Sequence, residues 1–191
     1  MQREIWLIRH GETEWSLSGA HTSRTDLPLT PRGKEKAAMI RAELTDRNFA
    51  LVLTSPLQRA RETCEAAGFG ELALVDPNLQ ELDYGDYEGR TTAEIQRERP
   101  GWSLWKDGCP NGETFEHAAA RAESVIARAL AADGDTALFA HGHILRILAG
   151  CWLGLAPDAA RLFALSTASV STLGYERETR VITRWNRSVS D

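Results

Sequence analysis

The chain lacks the cysteines of a cross-linked or zinc-stapled protein. Cys64, Cys109 and Cys151 are odd in number and form no close pair, which argues against both a disulfide framework and a zinc ribbon. Three unpaired thiols suit a reducing, cytoplasmic setting. No signal peptide is expected either, because the apolar run Ile5-Trp6-Leu7-Ile8 ends at once in Arg9-His10 with no cleavage site. The longest apolar stretch, Ile144 to Leu155, is broken by Arg146 and falls short of the ~20 residues a membrane span requires. Nor is there an excess of positive charge. The 22 Lys+Arg against 27 Asp+Glu give a net charge of -5, opposite to the footprint of a nucleic-acid binder. Any anionic ligand must therefore be held by a local cluster. Repeats, low-complexity segments and linkers are absent as well.

What remains is an ordinary globular composition, 42% hydrophobic and 26% charged over 191 residues, and one domain spanning 1–191 is expected. Glu4 to Ile8 reads as a central strand buried on both faces. Thr30-Pro31 starts a helix with a capping threonine and proline at the first helical position, running to about Asp46. Leu51 to Thr54 reads as a second strand, Leu57 to Ala67 as a helix stopped by Gly68, and Leu72 to Val75 as a third strand. A short helix is expected from Thr92 to Arg99. From Thr114, apolar residues such as Ala118, Ala122, Val125 and Ala129 recur at helical spacing and predict a long amphipathic helix. Thr136 to Ala140 forms a fourth strand, followed by an apolar helix through about Leu153. Ser169 to Tyr175 and Val181 to Trp185 look like a hairpin turned at about Arg177 to Arg180. Alternating strands and helices imply an α/β fold with a mostly parallel sheet and a ligand site at the carboxyl ends of its strands.

That rule selects residues. Three separate strand ends carry Arg9-His10, Ser55 to Arg59, and His141, so groups far apart in sequence converge on one pocket. Two arginines and two histidines at one sheet edge make a cationic pocket in an otherwise acidic chain, and phosphate is its natural guest. Arginine matches phosphate oxygens with a planar fork of donors. A neutral imidazole can attack phosphorus through one ring nitrogen if the other is held by a hydrogen bond. The leaving alkoxide then needs a proton. The segment Gln80 to Gly89 holds four carboxylates, and Glu81, near a third strand end, is assigned as the donor, with its pKa expected to rise if it is desolvated.

Leu7-Ile8-Arg9-His10-Gly11-Glu12-Thr13 resembles the signature of the histidine phosphatase superfamily, the phosphoglycerate mutase-like group. Support comes from Thr25-Asp26-Leu27-Pro28-Leu29-Thr30 with Gly33, Ser55-Pro56-Leu57-Gln58-Arg59-Ala60 with Thr63, Glu81 with Tyr84-Gly85 and Glu88-Gly89, and Ala140-His141-Gly142. These blocks stand in family order. The resemblance implies a Rossmann-like, three-layer α/β/α sandwich of the phosphoglycerate mutase type. It also implies that His10 is the nucleophile forming a phosphohistidine, with Arg9, Arg59 and His141 binding the phosphoryl group. Glu81 becomes the acid and later the base for water. Neither a metal nor another cofactor is implied. Thr22 and Ser23 occupy the segment that lines the substrate mouth in relatives, and Tyr84 and Gly142 join the expected substrate contacts. Ser16 stands where many mutases have an asparagine contacting phosphate.

Mutases of this family carry an adjacent arginine pair after the acidic loop, whereas here Arg90, Arg97, Arg99 and Lys106 are scattered. Segments such as Trp105-Lys106-Asp107-Gly108-Cys109 and Asn111-Gly112-Glu113-Thr114 are similar to the sedoheptulose-bisphosphatase-like branch and to broad-specificity acid phosphatases. The expectation is a phosphomonoesterase acting on sugar phosphates or similar small metabolites. The alternatives are a phosphoglycerate mutase, a phosphoprotein-directed phosphatase, and a non-catalytic phosphate-binding regulator. The expected partner is a small phosphorylated metabolite, with neither nucleic acid nor membrane involved and a homodimer left open. His143 stands between two readings, substrate contact and helix cap. Cys109 reads as structural, and His21 and His117 have no supporting context. A metal site built from His10, His141, His143 and Glu81 is disfavoured, because no ligand pair has helical spacing and the arginines would repel a cation.

Overall fold

All but the last residue of strand β1 (Ile5–Arg9) is buried. This is the pattern of a strand covered on both faces, and side chains alternate between the two. Trp6 and Ile8 pack on one side with Ile40, Leu44, Cys64 and Ala67. Ile5 and Leu7 pack on the other with Val125, Ile126, Leu145 and Leu148. The computed structural model describes residues 3–188.

Two short elements follow the expected chain order poorly, and the rest follow it well. After β1 come helices α1 (Glu14–Ser18) and α2 (Pro31–Leu44), strand β2 (Phe49–Thr54), helix α3 (Gln58–Ala66) and strand β3 (Leu74–Val75). Helices α4 (Thr92–Glu98), α5 (Leu104–Asp107) and α6 (Phe115–Ala131) lead to strand β4 (Asp135–Ala140), helix α7 (Gly142–Trp152) and the hairpin of β5 (Ser169–Glu176) and β6 (Thr179–Ser188). Thr30 caps α2 by accepting the Gly33 amide at 2.9 Å, with Pro31 in the first turn. Thr114 caps α6 by accepting the His117 amide at 3.2 Å. The third strand is shorter than expected, because Leu72 lies in a turn and is 65% exposed. Helices α1 and α5 fall where the sequence reads as loop.

The sheet order is β3-β2-β4-β1-β5-β6. Strands β3, β2, β4 and β1 are mutually parallel, whereas β5 runs antiparallel to β1 and β6 antiparallel to β5. The sheet is thus mixed, parallel through its first four strands. Helices α2 and α3 cover one face and α6 and α7 the other, giving three layers. Neighbouring strands β1 and β4 send the chain in opposite directions, β1 through α2 toward β2 and β4 through α7 toward β5. Such a divergence opens a crevice beyond the carboxyl ends of the two strands.

Gly11 lets the chain leave β1 tightly against α2. A Cβ there would lie 2.6 Å from the Gly33 carbonyl oxygen, closer than any side chain can approach. Among the described residues no helix is long and apolar enough to cross a membrane.

Candidate active site

His10 follows β1 directly, at the mouth of that crevice. Its amide donates to the Ala140 carbonyl at 3.0 Å, and its carbonyl accepts the Ala168 amide at 3.0 Å, so its backbone continues the sheet. The ring Nδ1 lies 2.7 Å from the Gly11 carbonyl. A carbonyl only accepts, so Nδ1 carries the proton and Nε2 keeps its lone pair. Burial, then the guanidinium groups of Arg9 and Arg59, hold the His10 pKa well below its ordinary 6.5. The ring is neutral, with Nε2 unprotonated.

Arg9 and Arg59 flank it in different ways. Arg9 donates through Nη1 to the Leu165 carbonyl. Its buried Nε has no hydrogen-bond partner among the described residues. An unmet buried donor costs about 1–3 kcal/mol, which a ligand oxygen would recover. Gly142 makes room for this guanidinium, since a Cβ there would lie 3.2 Å from Arg9 Cζ.

Arg59, on α3, is fully buried. Its Nη1 donates to the Thr25 carbonyl at 3.1 Å, and its Nη2 to the carbonyls of Thr22 at 3.2 Å and Ser23 at 3.1 Å. Its Nε donates to His141 Nδ1 at 3.1 Å. That bond fixes the tautomer of His141, whose Nε2–H donates to Ser55 Oγ at 2.7 Å. Burial, then Arg59 and His10, hold His141 well below 6.5, so it too is neutral. The two imidazole rings stand 5.1 Å apart. Arg59 therefore ties the 22–25 loop to the histidine pair, with one Nη1 hydrogen left over from its five donors.

Glu81 faces the start of α7. Its Oε1 accepts the amides of Leu82 at 3.0 Å, His143 at 3.1 Å and Ile144 at 2.9 Å, and Oε2 accepts His143 at 3.0 Å. Burial pushes its carboxyl up, but the bonding and charge of His143, with His141 behind it, outweigh burial and hold it well below 4.5. This corrects the sequence expectation of a raised pKa. Desolvation is present, and the His143 side chain, with the charge of His141 behind it and the His143 amide adding to both, overrides it. Beside it, the Tyr84 hydroxyl lies 2.7 Å from His143 Nδ1. Burial, then Glu81, push the Tyr84 phenol well above 10, so it stays protonated.

Arg9, His10, Glu81 and Tyr84 line a cavity of about 190 Å³, together with Thr13, Trp15, Ser16, Thr22, His21 and His143. Thr22 is on its wall, its hydroxyl bonded to the Ala20 carbonyl at 3.0 Å. The Ser16 hydroxyl is committed to the capping box of α1, donating to the Thr13 carbonyl at 2.9 Å. Ser23 lies elsewhere, on a wider cleft of about 680 Å³ that meets the pocket at Glu81 and includes Arg24, Asp83, Glu113, His117 and Arg121. His21 is the pocket residue that sequence reasoning passed over, although it adjoins Thr22. Burial, then His143, bring its pKa to about 4. Burial pushes the Cys109 thiol up to about 12, in keeping with a structural residue. Among the described residues no group of three His, Cys, Asp or Glu side chains could hold a metal ion.

Comparison with known proteins bears on this geometry. The model of the histidine phosphatase superfamily (branch 1) matches residues 5–188. The chain is 37% identical over 181 residues to an acid phosphatase of Mycobacterium tuberculosis, covering 92% of this chain and 88% of that one. It is 38% identical over 183 residues to sedoheptulose 1,7-bisphosphatase of Saccharomyces cerevisiae, covering 78% and 67%. A probable phosphoglycerate mutase GpmB of Escherichia fergusonii is 30% identical over 192 residues, covering 95% and 89%. The solved structure of an open reading frame from Mycobacterium tuberculosis matches with a TM-score of 0.92 at 34% identity, covering 98% of this chain and 99% of that one.

Proposed function

From the premise that the chain belongs to the histidine phosphatase superfamily, we propose that it is a metal-independent phosphomonoesterase that hydrolyses sugar phosphates or similar small metabolites through a phosphohistidine. One observation carries the reading. The neutral His10 ring has its Nδ1 proton tied to Gly11 and its Nε2 free, beside the unpartnered Nε of Arg9.

In this mechanism the phosphoryl group takes the open donor of Arg9, and its charge beside Glu81 raises the affinity of that carboxylate for a proton. Glu81 takes up a proton as the substrate enters. His10 Nε2 attacks phosphorus, the ester P–O bond breaks, and the leaving oxygen receives the proton from Glu81. Water then attacks the phosphohistidine and gives its proton to the Glu81 carboxylate. The P–N bond breaks, and inorganic phosphate leaves with the imidazole neutral again. Arg59 and His141 hold this arrangement from below through their mutual hydrogen bond. A cytoplasmic setting is consistent with three unpaired cysteines.

The GpmB relatives favour a second reading, a mutase, in which the phosphohistidine returns its group to a phosphoglycerate instead of to water. Phosphate release from sugar phosphates, bisphosphates, phosphoglycerates and nucleotides, measured with and without chelator, separates the two. The proposal expects chelator-resistant release that disappears in His10→Ala. Full activity in that variant would refute the nucleophile, and phosphoglycerate isomerisation faster than phosphate release would favour the mutase.

A further inference from the structure

Beyond the phosphoryl pocket, a second cavity of about 310 Å³ lies against it, and His21 and His143 line both. Its remaining walls are Trp102, Trp105 and Leu104, with Thr92, Gln96 and Ser103 supplying hydroxyl and amide groups. None of these residues bears a carboxylate, an ammonium or a guanidinium group. We propose that this annex receives the organic part of the substrate, and that the substrate is a monophosphate ester whose remaining portion is uncharged and hydroxyl-bearing. The assignment rests on the phosphatase reading above and narrows it.

The aromatic wall is built to keep its shape. Trp105 stacks on Phe115 at 5.1 Å and 18°, and the Arg146 guanidinium sits 4.6 Å from its ring. That guanidinium is held by the carbonyls of Ala160 at 3.1 Å and Arg161 at 3.3 Å. His21 packs between Tyr84 at 4.8 Å and Trp102 at 5.7 Å. His143 packs against Trp105 at 5.2 Å while its Nδ1 is engaged by Tyr84. The two imidazoles thus form the edge that the phosphoryl pocket and the annex share. Ring faces with a few placed polar groups are the usual lining of a small-molecule site.

Those polar groups have capacity to spare. The Gln96 amide nitrogen donates to the Trp102 carbonyl at 2.9 Å, which leaves its oxygen as an acceptor. The Ser103 hydroxyl makes no capping bond to α5. His21, held at about 4 by burial and His143, is neutral at physiological pH and adds no charge. A second phosphate or a carboxylate placed here would lose its hydration without meeting an arginine or lysine in the lining.

The 680 Å³ cleft on the Glu81 side is the rival location, and its electrostatics disfavour an anionic ester. Glu81, Asp83 and Glu113 all line it. Its cations are already committed. Arg24 pairs with Asp83, and Arg121 pairs with Glu113 through Nε and Nη2, both at 2.7 Å. His117 Nδ1 also lies 2.6 Å from Glu113.

The test compares the whole protein with Gln96→Trp and Ser103→Trp, which fill the annex from different walls, and with Gln80→Trp, which fills the cleft. Gln96 is exposed, so that variant tolerates the larger ring without disturbing the core. Substrates are fructose 6-phosphate, fructose 1,6-bisphosphate, 3-phosphoglycerate and methyl phosphate, whose methyl group is too short to reach the annex. The wild-type protein is expected to prefer fructose 6-phosphate over the bisphosphate and the phosphoglycerate by about tenfold or more in kcat/KM. Each annex variant is expected to lose about tenfold more kcat/KM with fructose 6-phosphate than with methyl phosphate. Equal losses on both substrates, no loss in either annex variant, or a selective loss confined to Gln80→Trp would overturn the assignment. Phosphate release from none of the four by the wild-type protein would overturn the phosphatase reading itself, and the annex with it.

Discussion

Both carboxylate oxygens of Glu81 accept the backbone amide of His143, at 3.1 and 3.0 Å. The carboxylate therefore caps the N-terminus of α7, where partial positive charge favours its ionised form. To act as the proposed acid, a carboxylate that rests ionised must first take up a proton. The phosphoryl group of the substrate is the natural agent, because a dianion in the neighbouring pocket opposes the field that keeps Glu81 deprotonated.

Replacing this carboxyl with an amide removes the proton and retains the shape. Glu81→Gln is expected to lower kcat/KM by roughly 10²–10⁴-fold for alkyl phosphates and by less for aryl phosphates, whose leaving groups need no proton. The measurement is phosphate release across esters of graded leaving-group pKa. Equal losses on alkyl and aryl esters would remove Glu81 from the protonation step.

The pH profile follows from the same shifts. His10 is depressed well below 6.5, so acidification through the ordinary histidine range does not protonate it, and activity should survive there. On the alkaline side the substrate loses its last proton near pH 6, and that proton is the one Glu81 needs. kcat/KM is expected to fall as pH rises above about 6, with no acid limb near the ordinary histidine value. Because kcat/KM reports free enzyme and free substrate, an acid limb centred on 6.5 would show His10 titrating normally and would contradict its buried, guanidinium-flanked setting.

Gly142 is tested by the smallest side chain. A Cβ at this position would stand 3.2 Å from Arg9 Cζ and 3.4 Å from Nε. The helix backbone suits alanine, so the guanidinium must give way by a few tenths of an ångström. Gly142→Ala is expected to raise KM for phosphate esters about tenfold, with the thermal midpoint almost unchanged. Unaltered kinetics would mean that the Arg9 Nε makes no contact with the substrate.

Much of this arrangement is legible along the chain because local and tertiary preferences agree. The unbroken apolar run of β1, the Thr30-Pro31 start of α2 and the helical spacing after Thr114 each say locally what burial later requires. Helices α1 and α5 are too short to display a period. The local marks of α1 are the Thr13 and Ser16 capping box and Gly19 at its C-terminus. The resting charge of Glu81 is illegible for a different reason, since His143, whose side chain and amide favour it, lies 62 residues further on. His21 reaches the pocket because its backbone is pinned to the acidic loop, donating to the Arg90 carbonyl at 2.9 Å and accepting the Gly89 amide at 2.8 Å. Nothing in its own neighbourhood announces that pairing.

Arg59 links stability to activity. Its guanidinium satisfies the carbonyls of Thr22, Ser23 and Thr25 and orients His141. Truncation leaves those buried acceptors unmet, and hydrogen bonds to charged groups contribute about 1.5–3 kcal/mol each. Arg59→Ala is expected to destabilise the fold by at least about 3 kcal/mol in urea unfolding, and to lower kcat by about 10²–10³-fold at a temperature where it remains folded. Loss of activity with unchanged stability would mean that Arg59 abandons the loop carbonyls in solution.

Thr63 braces the peptide beside His10 without lining the pocket. Wholly buried, its hydroxyl donates to the Arg59 carbonyl at 2.7 Å and accepts the Gly11 amide at 3.0 Å. Gly11 is also the residue whose carbonyl grips the His10 ring, so one hydroxyl joins the peptide behind the nucleophile to the helix that carries Arg59. Thr63→Val keeps the volume and removes both bonds, leaving a buried amide unmet at a cost of about 1–3 kcal/mol. If the hydroxyl aligns His10, this variant should lower kcat by about 10- to 100-fold with little change in KM, because misplacing a reacting atom penalises the transition state more than binding. Thr63→Ser, which restores the hydroxyl, should recover most of the rate. A rise in KM at constant kcat would instead assign Thr63 to the placement of Arg59, and a stability loss with neither change would reduce it to a packing residue.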